Sequence, residues 1–295
     1  MTTKRAKRCV PDPDARSIVQ PDRDVRVLLS LAWAGILSTR QIERLHFPSR
    51  RTAERRLRAL FDHGLVRAHL QGEALHRENV HTLTKRGAAM LESDRGVDPG
   101  HVRLARLPKT RKLKHTLAIR DVFVSFLEAE RDGLLQVVDF RFEGDLAHDP
   151  AVGLPGIVPD AICTVRALDH DRVLLVEVDL GTETKAMLEK KLVSYRAALA
   201  GAHAGRHADA RTLLIVAHDP RRAASLAALV ARHGLGHIAR VVTFGTLAAL
   251  LAADYSHAPF ARAIRTVRTG AGAVLGDTTV ISQDDAAAFR PLGRV

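Results

Sequence analysis

Glu177 interrupts a run of apolar residues, Val173–Val176, that has the length of a buried strand. Consecutive apolar residues predict a strand that is covered on both faces, as in sheets flanked by helices. A carboxylate in such a strand has a high desolvation cost unless a cation or hydrogen-bond donors compensate it. Side chains alternate along a strand, so Glu177 and Asp179 are expected on the same face. The sequence therefore predicts a buried strand that ends in two neighbouring acidic side chains.

The patterns around this strand predict an α/β domain over residues 115–255. The order is one helix, three strands, a second helix and a further strand, which resembles the core of the restriction-endonuclease-like fold, a mixed α/β sheet flanked by helices. In chain order, we expect a helix from His115, strands near 134–142, 157–167 and 172–179, a helix from Thr184 to about Gly201, a strand at 212–217, a helix at 220–232 and a strand at 238–244.

Three helix patterns followed by a hairpin pattern predict a winged helix-turn-helix over residues 23–95. Ser38 and Gln41 have the spacing of a capping box, in which each side chain bonds the other's backbone N–H. Two strands, Leu65–Leu70 and Val80–Leu83, are expected to form the hairpin, with a turn at residues 71–73. The expected helix caps are Asp24, Ser38, Ser49 and Thr84.

Positive charge is concentrated in the first third of the chain. Residues 1–114 contain 25 basic and 12 acidic residues, a net charge of +13, whereas the other 20 basic and 21 acidic residues give −1. A basic module joined to a neutral one predicts a protein that binds double-stranded DNA. The alternatives are that the arginines only solvate an amphipathic helix, or that a winged helix binds another protein. The candidate DNA contacts are Arg50, Arg51, Arg55, Arg58 and Arg67.

Three further segments complete the predicted organisation: a flexible basic arm at 1–22, a basic connector at 96–114 and a C-terminal extension at 256–295. Cys9 and Cys163 lie in different predicted regions, so no disulfide framework is indicated and a reducing cytoplasm is expected. No apolar segment reaches the ~20 residues that a membrane-spanning helix needs. We therefore expect no membrane association.

The candidate catalytic residues follow the order Pro159-Asp160, Glu177, Asp179 and Lys191. Nucleases of the restriction-endonuclease-like fold have Pro-Asp before one strand, and on the next strand an acidic residue, one intervening residue and a lysine. Asp179 occupies the position of that lysine in this chain. Lys191 falls within the apolar stripe of the following predicted helix, so it is the candidate replacement.

Asp160, Glu177 and Asp179 are together a candidate site for Mg²⁺ or Mn²⁺, because these cations prefer carboxylate oxygens. Lys191 would stabilise negative charge on a phosphate. Two alternatives stay open from the residues alone. Asp179 can instead form the turn at Gly181, and the ammonium group of Lys191 can instead extend to solvent while its stem packs against the core.

Four segments in order resemble the replication-relaxation family of actinobacterial and plasmid-associated proteins, over about residues 25–216. The resemblance implies a part in plasmid replication or in DNA relaxation during transfer, with a winged helix in front of a nuclease-like domain. It also implies that an acidic residue is usual at the position of Asp179. The segments are Leu83–Ala88, Val158–Ala161, Val176–Glu183 and Lys191–Tyr195.

Two hypotheses about function follow. The first is a DNA-binding protein of plasmid or mobile-element replication and relaxation, with a metal-dependent endonuclease or nickase site. The alternative is a winged-helix transcriptional regulator whose nuclease-like domain is inactive and serves dimerisation or partner binding. The expected partners are double-stranded DNA, replication or transfer proteins, and a second copy of the chain in a homodimer.

Overall fold

The computed structural model describes residues 11, 22–69, 79–98, 102–146, 157–167, 170–202 and 211–255. They form two compact units, divided between Arg120 and Asp121. Each unit combines helices with one β-sheet, so the predicted mixed α/β class is confirmed. The predicted N-terminal arm, hairpin turn and C-terminal extension lie largely or wholly outside the described residues.

The first unit begins with three helices and a three-stranded antiparallel sheet in the order β1-β3-β2. Strand β3 has the predicted bounds, whereas β1 was not predicted because three residues are too few for an alternating pattern. In chain order, the elements are α1 (Asp22–Ala34), β1 (Ile36–Ser38), α2 (Thr39–His46), α3 (Arg50–Asp62), β2 (Val66–His69), β3 (Val80–Leu83) and α4 (Lys85–Arg95).

Three of the four predicted helix caps are confirmed. The hydroxyl of Ser38 accepts from the backbone N–H of Gln41 at 3.2 Å, and the backbone N–H of Ser38 donates to Gln41 Oε1 at 2.9 Å. Ser49 caps α3 and Thr84 caps α4 in the same way. Each cap satisfies N–H groups of a first helical turn, which have no partner within the helix.

The prediction that Asp24 caps α1 is wrong. Helix α1 already begins at Asp22, and Asp24 lies in its first turn with no exposed surface. The Nε of Arg56 donates to both carboxylate oxygens of Asp24, at 2.7 and 2.8 Å. Asp24 therefore joins α1 to α3 through an ion pair with Arg56. The ion pair offsets the high desolvation cost of a fully buried carboxylate.

The basic segment after α4 packs against the first unit. The backbone N–H of Arg103 donates to the carbonyl of Ala32 at 3.0 Å. Helix α5 (Thr110–Arg131) begins five residues before the predicted start at His115. A small apolar cluster holds this segment in place, formed by Ile36, Val80 and Leu113 with Ala105, Leu107 and Leu117 packed around them.

The second unit contains a five-stranded mixed sheet in the order β4-β5-β6-β7-β8. Two short helices, α6 and α9, were not predicted from the sequence. No helix within the described ranges is long and apolar enough to cross a bilayer. In chain order, the elements after α5 are β4 (Gln136–Phe142), α6 (Glu143–Leu146), β5 (Ala161–Ala167), β6 (His170–Asp179), α7 (Lys185–Ala202), β7 (Thr212–Ala217), α8 (Pro220–Arg232), β8 (Ala239–Thr243) and α9 (Phe244–Tyr255).

Strand β6 lies at the centre of this sheet. It pairs antiparallel with β5 and parallel with β7, and β7 pairs parallel with β8. Parallel neighbours need a crossover connection, which α7 and α8 supply. Every residue of β6 from Leu174 to Asp179 is buried. The predicted buried strand is therefore confirmed, and its two acidic residues lie inside the protein.

Candidate active site

Glu177 and Asp179 lie at the carboxyl end of β6, two residues apart on one face of the sheet. Their exposed fractions are only 8% and 5%. Because β6 and β7 are parallel, Asp179 is opposite Ala217, the last residue of β7. The connections that leave both strands therefore begin beside these carboxylates.

Two donors from α7 contact the carboxylate of Glu177. The Nζ of Lys191 donates to Oε2 at 2.9 Å, and the hydroxyl of Tyr195 donates to Oε1 at 2.6 Å. The Nζ of Lys191 also lies 2.9 Å from Oε1 of Glu183. Lys191 and Tyr195 are four residues apart, so they lie on the same face of the helix. Each oxygen of Glu177 therefore has its own donor.

Burial and the nearby negative charge of Asp160 raise the pKa of Glu177, Lys191 and Tyr195 lower it, and the net result is a pKa of about 7. Burial alone would lower the pKa of Lys191, but the charges of Glu177 and Glu183 raise it above its ordinary value. Burial and the charge of Glu177 also raise the pKa of Tyr195. Lys191 is thus a firmly charged ammonium beside a carboxyl group that titrates near neutral pH.

Asp160 lies immediately before β5, next to the same part of β6. Its Oδ2 accepts from the backbone N–H of Val178 at 2.8 Å. Its carbonyl accepts from the backbone N–H of Glu143 at 3.0 Å. Asp160 is therefore held by the residue that follows Glu177, and its charge acts on Glu177.

Asp179 has a different partner, Arg222, in the first turn of α8. The Nε and Nη2 of Arg222 donate to the two carboxylate oxygens at 2.8 and 2.9 Å, and Nη2 also reaches the carbonyl of Glu183 at 3.2 Å. The backbone N–H of Gly181 donates to Asp179 as well, at 2.8 Å. Burial by itself would raise the pKa of Asp179, but the hydrogen bonds from Arg222 and Gly181 outweigh it and lower that pKa.

Gly181 is required for this turn. Its φ is +76°, in the left-handed region that favours glycine. A Cβ at this position would also lie 2.8 Å from Cε1 of His218. The turn at Gly181 is therefore tightly packed. Asp179 stabilises this turn, in agreement with the alternative role given to Asp179 in the sequence analysis.

The three predicted metal ligands are not assembled into one group. Among the described residues, no three His, Cys, Asp or Glu side chains lie together as a metal site. Asp179 is instead engaged by Arg222. Asp160 lies near enough to Glu177 for its charge to raise the pKa of Glu177, and Lys191 forms an ion pair with Glu177. The carboxylate oxygens of Asp160 and Glu177 are of the type that a hard cation prefers, whereas the Asp179 carboxylate is occupied by its ion pair with Arg222.

Two residues of this site were not predicted, Tyr195 and Arg222. The signal for Tyr195 is its spacing of four residues from Lys191 within the same apolar stripe. The signal for Arg222 is Asp219, which caps α8 and thereby fixes Arg222 in the first turn after β7. Because β6 and β7 are parallel, that turn begins at the same sheet edge as Asp179.

The pKa of Glu177 gives a prediction for stability against pH. The folded state holds this proton more tightly than the unfolded state, so the contribution of Glu177 to stability falls as pH rises from about 4.5 to about 7. We expect the free energy of unfolding of Glu177→Gln, relative to that of the natural protein, to increase by about 1–3 kcal/mol as the pH rises from 5 to 8. Urea unfolding at both pH values measures this. Glu189→Gln, an acidic residue on α7 that contacts Lys185, is the control. An equal pH response in both variants would contradict the expectation.

The predicted DNA-contacting arginines differ in their surroundings. Arg50 pairs with Glu54 and Arg58 pairs with Asp62, both within α3. Three others are exposed and form no ion pair with any residue in the described ranges: Arg51 and Arg55 on α3, and Arg67 on β2. Arg51 and Arg55 are four residues apart, on one face of the helix.

The family comparison supports the resemblance seen in the sequence. A family model described as replication-relaxation matches residues 28–213, which is more than half of the 295 residues. No curated protein and no solved structure gives a match.

Proposed function

The chain belongs to the replication-relaxation family, and from that membership we propose that it acts on DNA in the replication or relaxation of plasmids or other mobile elements. The first unit is proposed to be a winged helix-turn-helix that binds double-stranded DNA. The second is proposed to be a restriction-endonuclease-like domain that nicks or cleaves DNA. The proposed protein partners are replication or transfer proteins and a second copy of the chain.

The nuclease proposal is carried by one observation, the burial of Glu177 between Lys191 and Tyr195, beside Asp160. An apolar residue at this point of β6 would avoid the desolvation cost of a carboxylate. Buried ion pairs are often no more stabilising than apolar residues of similar volume. A carboxyl group with a perturbed pKa and a specific cationic partner is a candidate for catalysis. We therefore assign this group to function.

The proposed cation is Mg²⁺ or Mn²⁺, with Asp160 and Glu177 as its ligands, since these cations prefer carboxylate oxygens. When bound, such a cation polarises a phosphate and lowers the pKa of a water molecule. Lys191 has three N–H donors, of which Glu177 and Glu183 engage two. The third can donate to a phosphate oxygen, so Lys191 would offset negative charge that develops there.

The DNA-binding proposal rests on α3 and β2. A winged helix places its recognition helix in the major groove, where arginines contact guanine edges and phosphates. Arg51, Arg55 and Arg67 are exposed and have no acidic partner among the described residues. Their charge is therefore available to a polyanion. Arg50 and Arg58 would first have to release Glu54 and Asp62.

Supercoiled plasmid tests the nuclease proposal directly. We expect the full-length protein to convert it to the nicked form with Mg²⁺ or Mn²⁺ and not with EDTA. Asp160→Asn and Glu177→Gln should each abolish nicking, because each removes a proposed ligand charge. Glu189→Gln, an acidic residue elsewhere on α7, should nick as the natural protein does. Gel electrophoresis of the topological forms measures all four proteins.

The alternative is an inactive nuclease-like domain in a DNA-binding regulator. The contacts of Asp179 favour it, because the residue at the usual lysine position forms an ion pair with Arg222. Unimpaired DNA binding together with no nicking under any of these conditions would support the regulator and exclude the nuclease.

Salt dependence tests the DNA interface. Each lost phosphate contact makes the slope of log K against log salt less negative by about 0.9. We expect Arg51→Ala with Arg55→Ala to weaken duplex binding and to flatten this slope by about one to two. Arg232→Ala, an exposed arginine in the last turn of α8, is the control and should keep the natural slope. Fluorescence anisotropy with labelled duplex at several salt concentrations measures it; unchanged slopes would remove Arg51 and Arg55 from the interface.

A further inference from the structure

Tyr195 is buried in the apolar core of the second unit, with 1% of its surface exposed. Its ring packs in the same cluster as Leu192 and Leu199, the neighbouring residues of α7 on that face. Its hydroxyl donates to Oε1 of Glu177 at 2.6 Å. The ring thus belongs to the core, whereas the hydroxyl belongs to the candidate active site.

The hydroxyl is not needed for packing. A phenylalanine has nearly the same volume and would carry no polar atom that requires a partner inside the core. The cost of burying a hydroxyl is offset only because Glu177 accepts its hydrogen bond. Packing alone therefore does not explain a tyrosine at position 195. Its hydroxyl is explained by the hydrogen bond to Glu177, and Glu177 is itself unfavourable in a buried strand.

Tyr195 and Lys191 together fix the orientation of the Glu177 carboxylate. Tyr195 donates to Oε1 and Lys191 donates to Oε2, from positions four residues apart on one helix. With a separate donor on each oxygen, the carboxylate cannot rotate without breaking one of these bonds. Each carboxylate oxygen has two lone pairs, so each keeps one acceptor direction for a further ligand.

We propose that Tyr195 is a positioning residue, which holds the Glu177 carboxylate in the orientation needed to bind a divalent cation. This proposal rests on the proposed nuclease function. Lys191 differs from Tyr195 because 35% of its side chain is exposed, so it can also reach a phosphate. Tyr195 is enclosed by the core and acts only through Glu177.

Tyr195→Phe in the full-length protein tests this role, with Ser194→Ala as the matched control. Ser194 is the preceding residue of α7, and its side chain points about 100° away around the helix. Mn²⁺ affinity is measured by titration calorimetry without DNA, and kcat and KM for plasmid nicking are measured separately. Loss of an outer hydrogen bond to a metal ligand typically costs 10–100-fold in affinity or activity.

We expect Tyr195→Phe to weaken Mn²⁺ binding or to lower kcat by about 10-fold or more, with an unchanged KM for plasmid and an unchanged far-UV circular dichroism spectrum. Ser194→Ala should match the natural protein. Because Tyr195 acts through Glu177, adding Tyr195→Phe to Glu177→Gln should cause no further loss of Mn²⁺ affinity.

Two results would overturn the proposal, and they can be told apart. If the natural protein nicks plasmid and Tyr195→Phe has the same Mn²⁺ affinity and the same kcat as the natural protein, the positioning role alone is refuted. A natural protein that neither binds Mn²⁺ nor nicks would refute the proposed nuclease site and the positioning role together.

Discussion

Arg222→Met is expected to destabilise the second unit by about 3 kcal/mol, because it leaves Asp179 as a buried carboxylate without its cationic partner. Arg222 donates two hydrogen bonds to Asp179 and one to the carbonyl of Glu183. Methionine fills much of the same space without charge. Among the described residues, the backbone N–H of Gly181 is then the donor that remains for the Asp179 carboxylate. Urea unfolding followed by circular dichroism measures the loss.

This effect should depend on pH. In the natural protein the pKa of Asp179 is lowered, so its ion pair contributes stability above the unfolded pKa of about 4, which is lost as pH falls through the lower folded pKa. Without Arg222, burial raises that pKa instead, so the destabilisation should be larger at pH 7 than at pH 4.

Arg221→Met is the control for this prediction, because Arg221 is the exposed neighbour of Arg222 in the same turn. It should change stability by no more than about 0.5 kcal/mol. Combining Arg222→Met with Asp179→Asn should recover part of the loss, since the unpaired charge is then removed. Equal stability of the two methionine variants would contradict a structural role for the ion pair.

Gly87→Ala is expected to destabilise the first unit by about 3 kcal/mol or more, through a steric clash with backbone. A Cβ at Gly87 would lie 2.3 Å from the carbonyl oxygen of Leu65 and 2.8 Å from Cδ1 of Leu83. The Leu65 carbonyl is held in place, because it accepts from the backbone N–H and the hydroxyl of Thr84 at 3.1 and 3.0 Å. It cannot move away without breaking the bonds at the start of α4.

Gly144→Ala is the control for this substitution. Gly144 lies in the short helix α6, and a Cβ there meets no atom within 4 Å. Alanine in an open helical position stabilises by up to about 1 kcal/mol, so the two glycine variants should change the urea midpoint in opposite directions. Duplex binding should also weaken in Gly87→Ala alone. A midpoint for Gly87→Ala at or above the natural value would show that the α4 contact with Leu65 is not tight.

The functional proposals differ in how much of their support came from the sequence. The order Asp160, Glu177 and Lys191 is visible in the chain, and the family match confirms the resemblance. Arg51 and Arg55 were also visible as an outward face of α3. Which arginine pairs with Glu54 was not visible, because Arg50, Arg51 and Arg58 all lie three or four residues from it, and the structure selects Arg50.

Local interactions account for what could be predicted about the fold. Ser38, Ser49 and Thr84 cap their helices through contacts three residues away, which are readable directly from the sequence. Strand β7 and helix α8 have their predicted bounds for a similar reason, since an apolar run and an Asp-Pro start define them. Asp24 was misinterpreted because its partner, Arg56, is 32 residues away.

The sequence by itself determined the mixed α/β class, the buried course of β6 and the presence of carboxylates at its end, because apolar periodicity and capping act over a few residues. Only the tertiary structure decided which basic side chain forms an ion pair with each carboxylate. Glu177 pairs with α7 and Asp179 with α8, across 14 and 43 residues. Those pairings depend on the parallel register of β6 with β7, which brings the starts of both helices to one sheet edge. The physical reason is that an ion pair inside a protein is selected by packing, which no local pattern encodes.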